Sequence, residues 1–145
     1  MDRIYAENKM NLEKIGGVQH MNETHVLSEN NYVSIKKAIA AKVMNDDHVS
    51  FIEVQRIFDE YDFDYRGNRI ICHPNYANLV FWGGWNDTAL KLMTEVLQEY
   101  PINMTTAHIM NYLIDGGGLE MPIAKKARSY QKNRWYPVVL RPEQV

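Results

Sequence analysis

At 145 residues, with 46% apolar and 23% charged side chains, the chain has the size and composition of one globular domain that reaches ordinary stability without metal or disulfide. Three Trp, nine Tyr and four Phe argue against disorder, and a lone Cys72 cannot close an internal disulfide. The net charge of −2 hides an asymmetry: residues 121–142 hold six bases and no acid, while the rest of the chain sets ten bases against eighteen acids.

Residues 1–20 are mostly polar, carry the pair Gly16-Gly17 and lack the apolar stretch of a signal peptide; they read as a mobile arm or as residues preceding the real start at Met21. Residues 21–145 read as a single α+β domain. From Tyr32 to Met44, Tyr32, Ile35, Ile39 and Val43 recur at helical spacing until Asn45, Asp46 and Asp47 interrupt them. Ser50-Phe51-Ile52-Glu53 is a capping box, because the serine and glutamate can satisfy each other's orphan amides. It starts a second helix whose apolar face is Phe51, Val54, Ile57, Phe58 and Tyr61.

Arg66-Gly67-Asn68 reads as a turn, Arg69 to Cys72 as a strand, His73-Pro74-Asn75 as a turn, and Asn78 to Trp82 as the partner strand of a hairpin ended by Gly83-Gly84. Asn86 or Asp87 caps a third helix that presents Leu90, Met93 and Leu97 inward and stops at Pro101. Thr105 or Thr106 caps a fourth, running through Leu113 into Gly116-Gly117-Gly118. Trp135 to Leu140 forms a last strand, which Pro137 confines to a sheet edge or a bulge. The sum is about four helices packed on a small antiparallel sheet with a central β-hairpin. It lacks the alternation of a doubly wound fold.

The segment from Ala124 to Tyr136 interleaves Lys125, Lys126, Arg128, Lys132 and Arg134 with Tyr130, Trp135 and Tyr136. Cations neutralise phosphates and aromatic faces stack bases, so a nucleotide or a nucleic-acid strand is one reading. A solvated basic segment anchored by Trp135 is the other. The three glycines upstream offer bare amides to an anion, although they fit neither phosphate-loop spacing nor dinucleotide spacing. Phe81-Trp82-Gly83-Gly84-Trp85 reads either as an exposed stacking platform or oligomer interface, built on Trp82 and Trp85, or as an aromatic corner of the core.

Asp62, Asp64 and Gly67 match three positions of a calcium loop, but Arg66 and His73 stand where ligands belong, so these acids are expected to end a helix and solvate a turn, or to pair with a basic neighbour in a symmetric oligomer. The five histidines form no ligand pair, and adjacent strand residues Cys72 and His73 point to opposite faces. No metal or other cofactor is expected. The order of two helices and a hairpin resembles winged-helix DNA binders in that order alone, and Glu53, Asp59 and Glu60 on the second helix repel phosphates.

These features lead to a small cytoplasmic, non-enzymatic binding protein, of the kind that phages and mobile elements use as accessory inhibitors of host defence. It would hold a partner protein or an anionic small molecule such as a nucleotide through Lys125, Lys126, Arg128, Lys132 and Arg134 with Tyr130, Trp135, Trp82 and Trp85, and could form a homo-oligomer. Alternatives are sequence-tolerant nucleic-acid binding, or a small hydrolase or transferase built on His73, His108, Asp62 and Asp64. No run is long enough to cross a bilayer, the longest aliphatic and aromatic one being Leu79 to Trp82.

Overall fold

A computed structural model describes residues 27–143; the expected arm, Gly16-Gly17, His20 and His25 lie outside the described residues. The described chain is α1 (Glu29–Asp46), α2 (Phe51–Glu60), β1 (Arg66–Cys72), β2 (Leu79–Trp85), α3 (Asp87–Glu99), β3 (Ile102–Thr106), α4 (Met110–Asp115), β4 (Arg134–Trp135) and β5 (Val138–Pro142). Every one of these elements sends side chains into one hydrophobic cluster. The fold is therefore α+β and has a single core.

The three longer helices, α1, α2 and α3, each begin where a cap side chain meets an orphan amide. Ser28 accepts from the Asn31 amide at α1, and Asn86 from the Ala89 amide at α3. At α2 the capping box is complete: Ser50 Oγ accepts from the Glu53 amide at 3.2 Å, and the Glu53 carboxylate from the Ser50 amide at 3.4 Å. Ile35, Ile39 and Val43 of α1, Phe51, Val54, Ile57 and Phe58 of α2, and Leu90, Met93 and Leu97 of α3 are buried. These are the apolar stripes read from the spacing. At roughly 1.5–3 kcal/mol for each large side chain enclosed, they supply much of the drive to fold.

The sheets differ in detail from the sequence reading. β1 and β2 form the expected antiparallel hairpin, but β4 joins β2 in parallel, so the three-stranded sheet β1-β2-β4 is mixed. The hairpin strands are also longer than predicted. Arg66 and Arg69 both oppose Trp85, so Gly67-Asn68 is a bulge within β1 and not a turn before it.

Residues 102–106 form strand β3, paired antiparallel with β5, and α4 begins only at Met110. Thr105 and Thr106 are thus strand residues and cap nothing. Ile102 and Met104 alternate inward in this β-branched segment, and that period of two overrides the capping signal. The expected single strand from Trp135 to Leu140 is two strands in two sheets. They part at Tyr136-Pro137, and the Pro137 carbonyl accepts from the Ala107 amide.

Adjacent strand residues such as Phe81 and Trp82 face opposite sides of a sheet. Both are enclosed, at 0% and 4% exposure, because β2 is covered on both faces. Gly84, at φ 86°, then breaks the strand alternation, and both Trp82 and Trp85 meet Phe51. Their indole N–H groups donate to one acceptor, Gln55 Oε1, each at 2.9 Å. The aromatic run is a corner of the core, with its two polar atoms satisfied by a single amide from α2.

Asp47, at the end of α1, accepts two hydrogen bonds from the Arg141 guanidinium of β5 at 2.9 and 3.1 Å and one from the His48 amide at 2.7 Å. The Arg141 bonds, followed by the His48 amide, outweigh partial burial and hold the Asp47 carboxyl below its ordinary value of 3.8. A carboxyl whose folded pKa is depressed stabilises the fold above its unfolded value and loses that contribution as pH falls through the folded value. Asp47→Asn is thus expected to lower the urea midpoint at pH 7, with the gap from the parent narrowing once the pH drops below about 4. A gap of constant size across that range would rule out the charge as its cause.

Candidate functional site

The cationic segment is held by β4. Arg134 and Trp135 pair with Leu79 and Val80 of β2, and on the opposite side the Ala124 amide donates to the Trp135 carbonyl while the Trp135 amide donates to the Pro122 carbonyl, both at 2.8 Å. Ile123 therefore lies beside Trp135. Residues 124–133 leave the body and return to it at one place, as a compact surface loop closed at its base.

Upstream, the glycines serve the fold. Gly116 ends α4 in the left-handed region at φ 102°, and the Gly116 and Gly117 amides donate to the Tyr112 carbonyl. Gly118 lies on the Trp135 ring so closely that a Cβ would meet it at 2.8 Å. The anticipated amide cradle for an anion is therefore not formed by Gly116 and Gly117, whose amides cap the helix.

Trp135 is 2% exposed; it donates from Nε1 to the Phe81 carbonyl at 3.2 Å and meets the Tyr112 ring edge-on at 5.1 Å. With Trp82 and Trp85 at 4% and 1%, the three tryptophans expected to give contact area are core residues, and their faces are unavailable to a ligand in this fold. Tyr130 alone among the expected aromatic contacts reaches the surface, where it is half-buried.

Lys125, Lys126, Arg128 and Lys132 are exposed and Arg134 is half-buried. Tyr130 organises them. Its carbonyl accepts from Asn78 Nδ2 at 2.8 Å, fixing the loop to the β1–β2 turn, and its hydroxyl donates to the Lys126 carbonyl at 3.1 Å. The Arg128 and Arg134 guanidiniums lie 4.2 and 4.9 Å from its ring centroid, within cation–π range.

Two open hollows flank this group. One, of about 330 Å³, is lined by Ile123, Lys125, Lys126 and the triad Arg128, Tyr130 and Arg134. The other, of about 460 Å³, is lined by the same triad with Ser129, Gln131 and Lys132. No carboxylate among the described residues forms an ion pair with any of these five cations, whereas Lys36, Lys42, Arg66, Arg69 and Arg141 all pair with acids. Close cations without counter-charges repel one another and draw anions from solution.

The other expected constellations are not assembled. His73 Nδ1 accepts from the Asn75 amide and His108 Nδ1 from the Met110 amide, so each histidine orders its own turn. Asp62 and Asp64 lie exposed between α2 and β1, where Asp64 pairs with Arg66. Among the described residues no three His, Cys, Asp or Glu side chains gather as a metal site, and no helix is long and apolar enough to cross a membrane.

Asn78 and Ile123 are the candidate-site residues the sequence did not disclose. An asparagine beside a strand and an isolated isoleucine carry no local signal of a loop clamp. No protein-family model, curated protein or solved structure matches the chain.

Proposed function

We propose that this is a non-enzymatic binding protein that captures an anionic, phosphate-bearing ligand on the loop of residues 124–133. The observation carrying this reading is the gathering of Lys125, Lys126, Arg128, Lys132 and Arg134 around Tyr130, with no carboxylate among the described residues paired to them. Guanidiniums offer planar forks that match phosphate oxygens, and lysines add mobile point charges. Capture needs no nucleophile or general base. That suits a small accessory protein which withholds a nucleotide-type molecule from its user, as an inhibitor of host defence would.

Calorimetric titration with a nucleoside triphosphate tests the reading. Binding is expected at 50 mM salt, weakening by about tenfold or more at 300 mM as the loop charges are screened and counterions compete. Absence of binding at low salt would remove the proposal. Affinity indifferent to salt would show that charge is not what holds the ligand.

A further inference from the structure

We infer that the ligand of this loop is recognised as a run of phosphates and not through a base. The inference rests on the anion-binding reading above and narrows it to linear polyphosphate groups, whether free or carried by a nucleotide.

Base recognition needs an open aromatic face or a fixed set of donors and acceptors. Tyr130 is the one aromatic residue lining the hollows, and its ring already carries the guanidiniums of Arg128 and Arg134 at 4.2 and 4.9 Å. A base stacking there would compete with them for the ring. Trp82, Trp85 and Trp135 are enclosed. The side-chain acceptors other than the Tyr130 hydroxyl belong to Ser129 and Gln131, both exposed and held by no hydrogen bond that would fix them for reading a base edge.

The cations, in contrast, are laid out in sequence across the two hollows. Lys125 and Lys126 line one, Lys132 lines the other, and Arg128 and Arg134 line both. A guanidinium lying against a ring keeps its edge open to oxygen acceptors; Arg128 and Arg134 each give one Nη1 hydrogen bond to a backbone carbonyl, of Ser129 and Ile123, and keep their other N–H groups for phosphate. An anion that bridges the Tyr130 ridge meets lysines at each end and arginines in the middle. One phosphate reaches only part of that array, whereas a chain of phosphates engages more of it.

The test is calorimetry on the full chain with orthophosphate, tripolyphosphate, ATP, GTP and adenosine in one low-salt buffer. Tripolyphosphate, ATP and GTP are expected to bind within about threefold of one another, orthophosphate at least tenfold more weakly, and adenosine not at all, because affinity follows the number of phosphate charges engaged. ATP binding more than about tenfold tighter than tripolyphosphate, a margin of the size base stacking supplies, would overturn this inference and leave the anion-binding function standing. Failure of every polyanion to bind would overturn both. A homopolymeric single strand that outcompetes tripolyphosphate at equal phosphate number would instead assign the loop to nucleic acid and overturn the inference. Arg128→Ala with Arg134→Ala, unchanged in circular dichroism, is expected to weaken tripolyphosphate binding by roughly 30-fold or more, as two charge-assisted hydrogen-bonding groups are lost; undiminished binding would place the phosphates elsewhere.

Discussion

Trp135→Ala is expected to lower the unfolding free energy by about 3–5 kcal/mol, the range for removing a large buried aromatic. The indole is 2% exposed, lies under Gly118 and against Trp82 and Tyr112, and donates to the Phe81 carbonyl. None of these neighbours can close the space cheaply. Gly118 has no side chain to move in, Trp82 is tied to Gln55, and the Tyr112 hydroxyl donates to the Val138 carbonyl at 2.6 Å. Domains of this size have about 5–15 kcal/mol of stability in total, so the loss is about a fifth of it or more. Urea unfolding followed by tryptophan fluorescence and circular dichroism should show a lower midpoint with a similar slope. A change under about 1 kcal/mol would contradict the enclosure of this side chain, since that is the range of ordinary surface substitutions.

Arg128→Ala combined with Arg134→Ala is expected to weaken capture of a nucleoside triphosphate by roughly 30- to 1,000-fold, since two charge-assisted hydrogen-bonding groups at a partly exposed site contribute about 2–4 kcal/mol together. The melting temperature should move little. Arg128 bonds only to the neighbouring Ser129 carbonyl, and Arg134 makes one long bond of 3.4 Å to the Ile123 carbonyl. Replacing both with lysine is expected to restore part of the affinity, because charge returns while the planar fork does not. If the alanine pair melts normally and binds as the parent does, the loop is not the site.

The first three helices were legible because their signals are local. A capping box at Ser50, an asparagine cap at Asn86 and apolar residues three and four apart each fit within one or two turns, and the folded chain uses them as written. The sheets were harder to read. Ile102–Thr106 carries both a strand's alternation and a helix's cap residues, and only its partner β5, more than thirty positions away, decides between them. Likewise, nothing near Tyr136-Pro137 announces that Trp135 will pair with Val80 while Val138 pairs with Thr106.

The candidate site divides along the same line. Charge is legible from composition: Lys125, Lys126, Arg128 and Lys132 do share one surface loop, with Arg134 of β4 at its foot. Aromatic exposure is not legible, because a tryptophan that stacks a ligand and one that fills a core look alike in sequence. The deciding features were the second cover on β2 and the left-handed Gly84, which turn Trp82 and Trp85 to the same interior contact.

The closure of residues 124–133 at the Ile123–Trp135 bridge has a practical consequence. Because both feet of the loop stand together, its length is decoupled from the framework beneath it. Extra residues between Gln131 and Asn133 lengthen only the excursion, and doubling such a loop costs only about 0.6 kcal/mol of closure entropy. The spacing of its charges is thus free to vary, by natural insertion or by grafting a foreign segment, without renegotiating the interior.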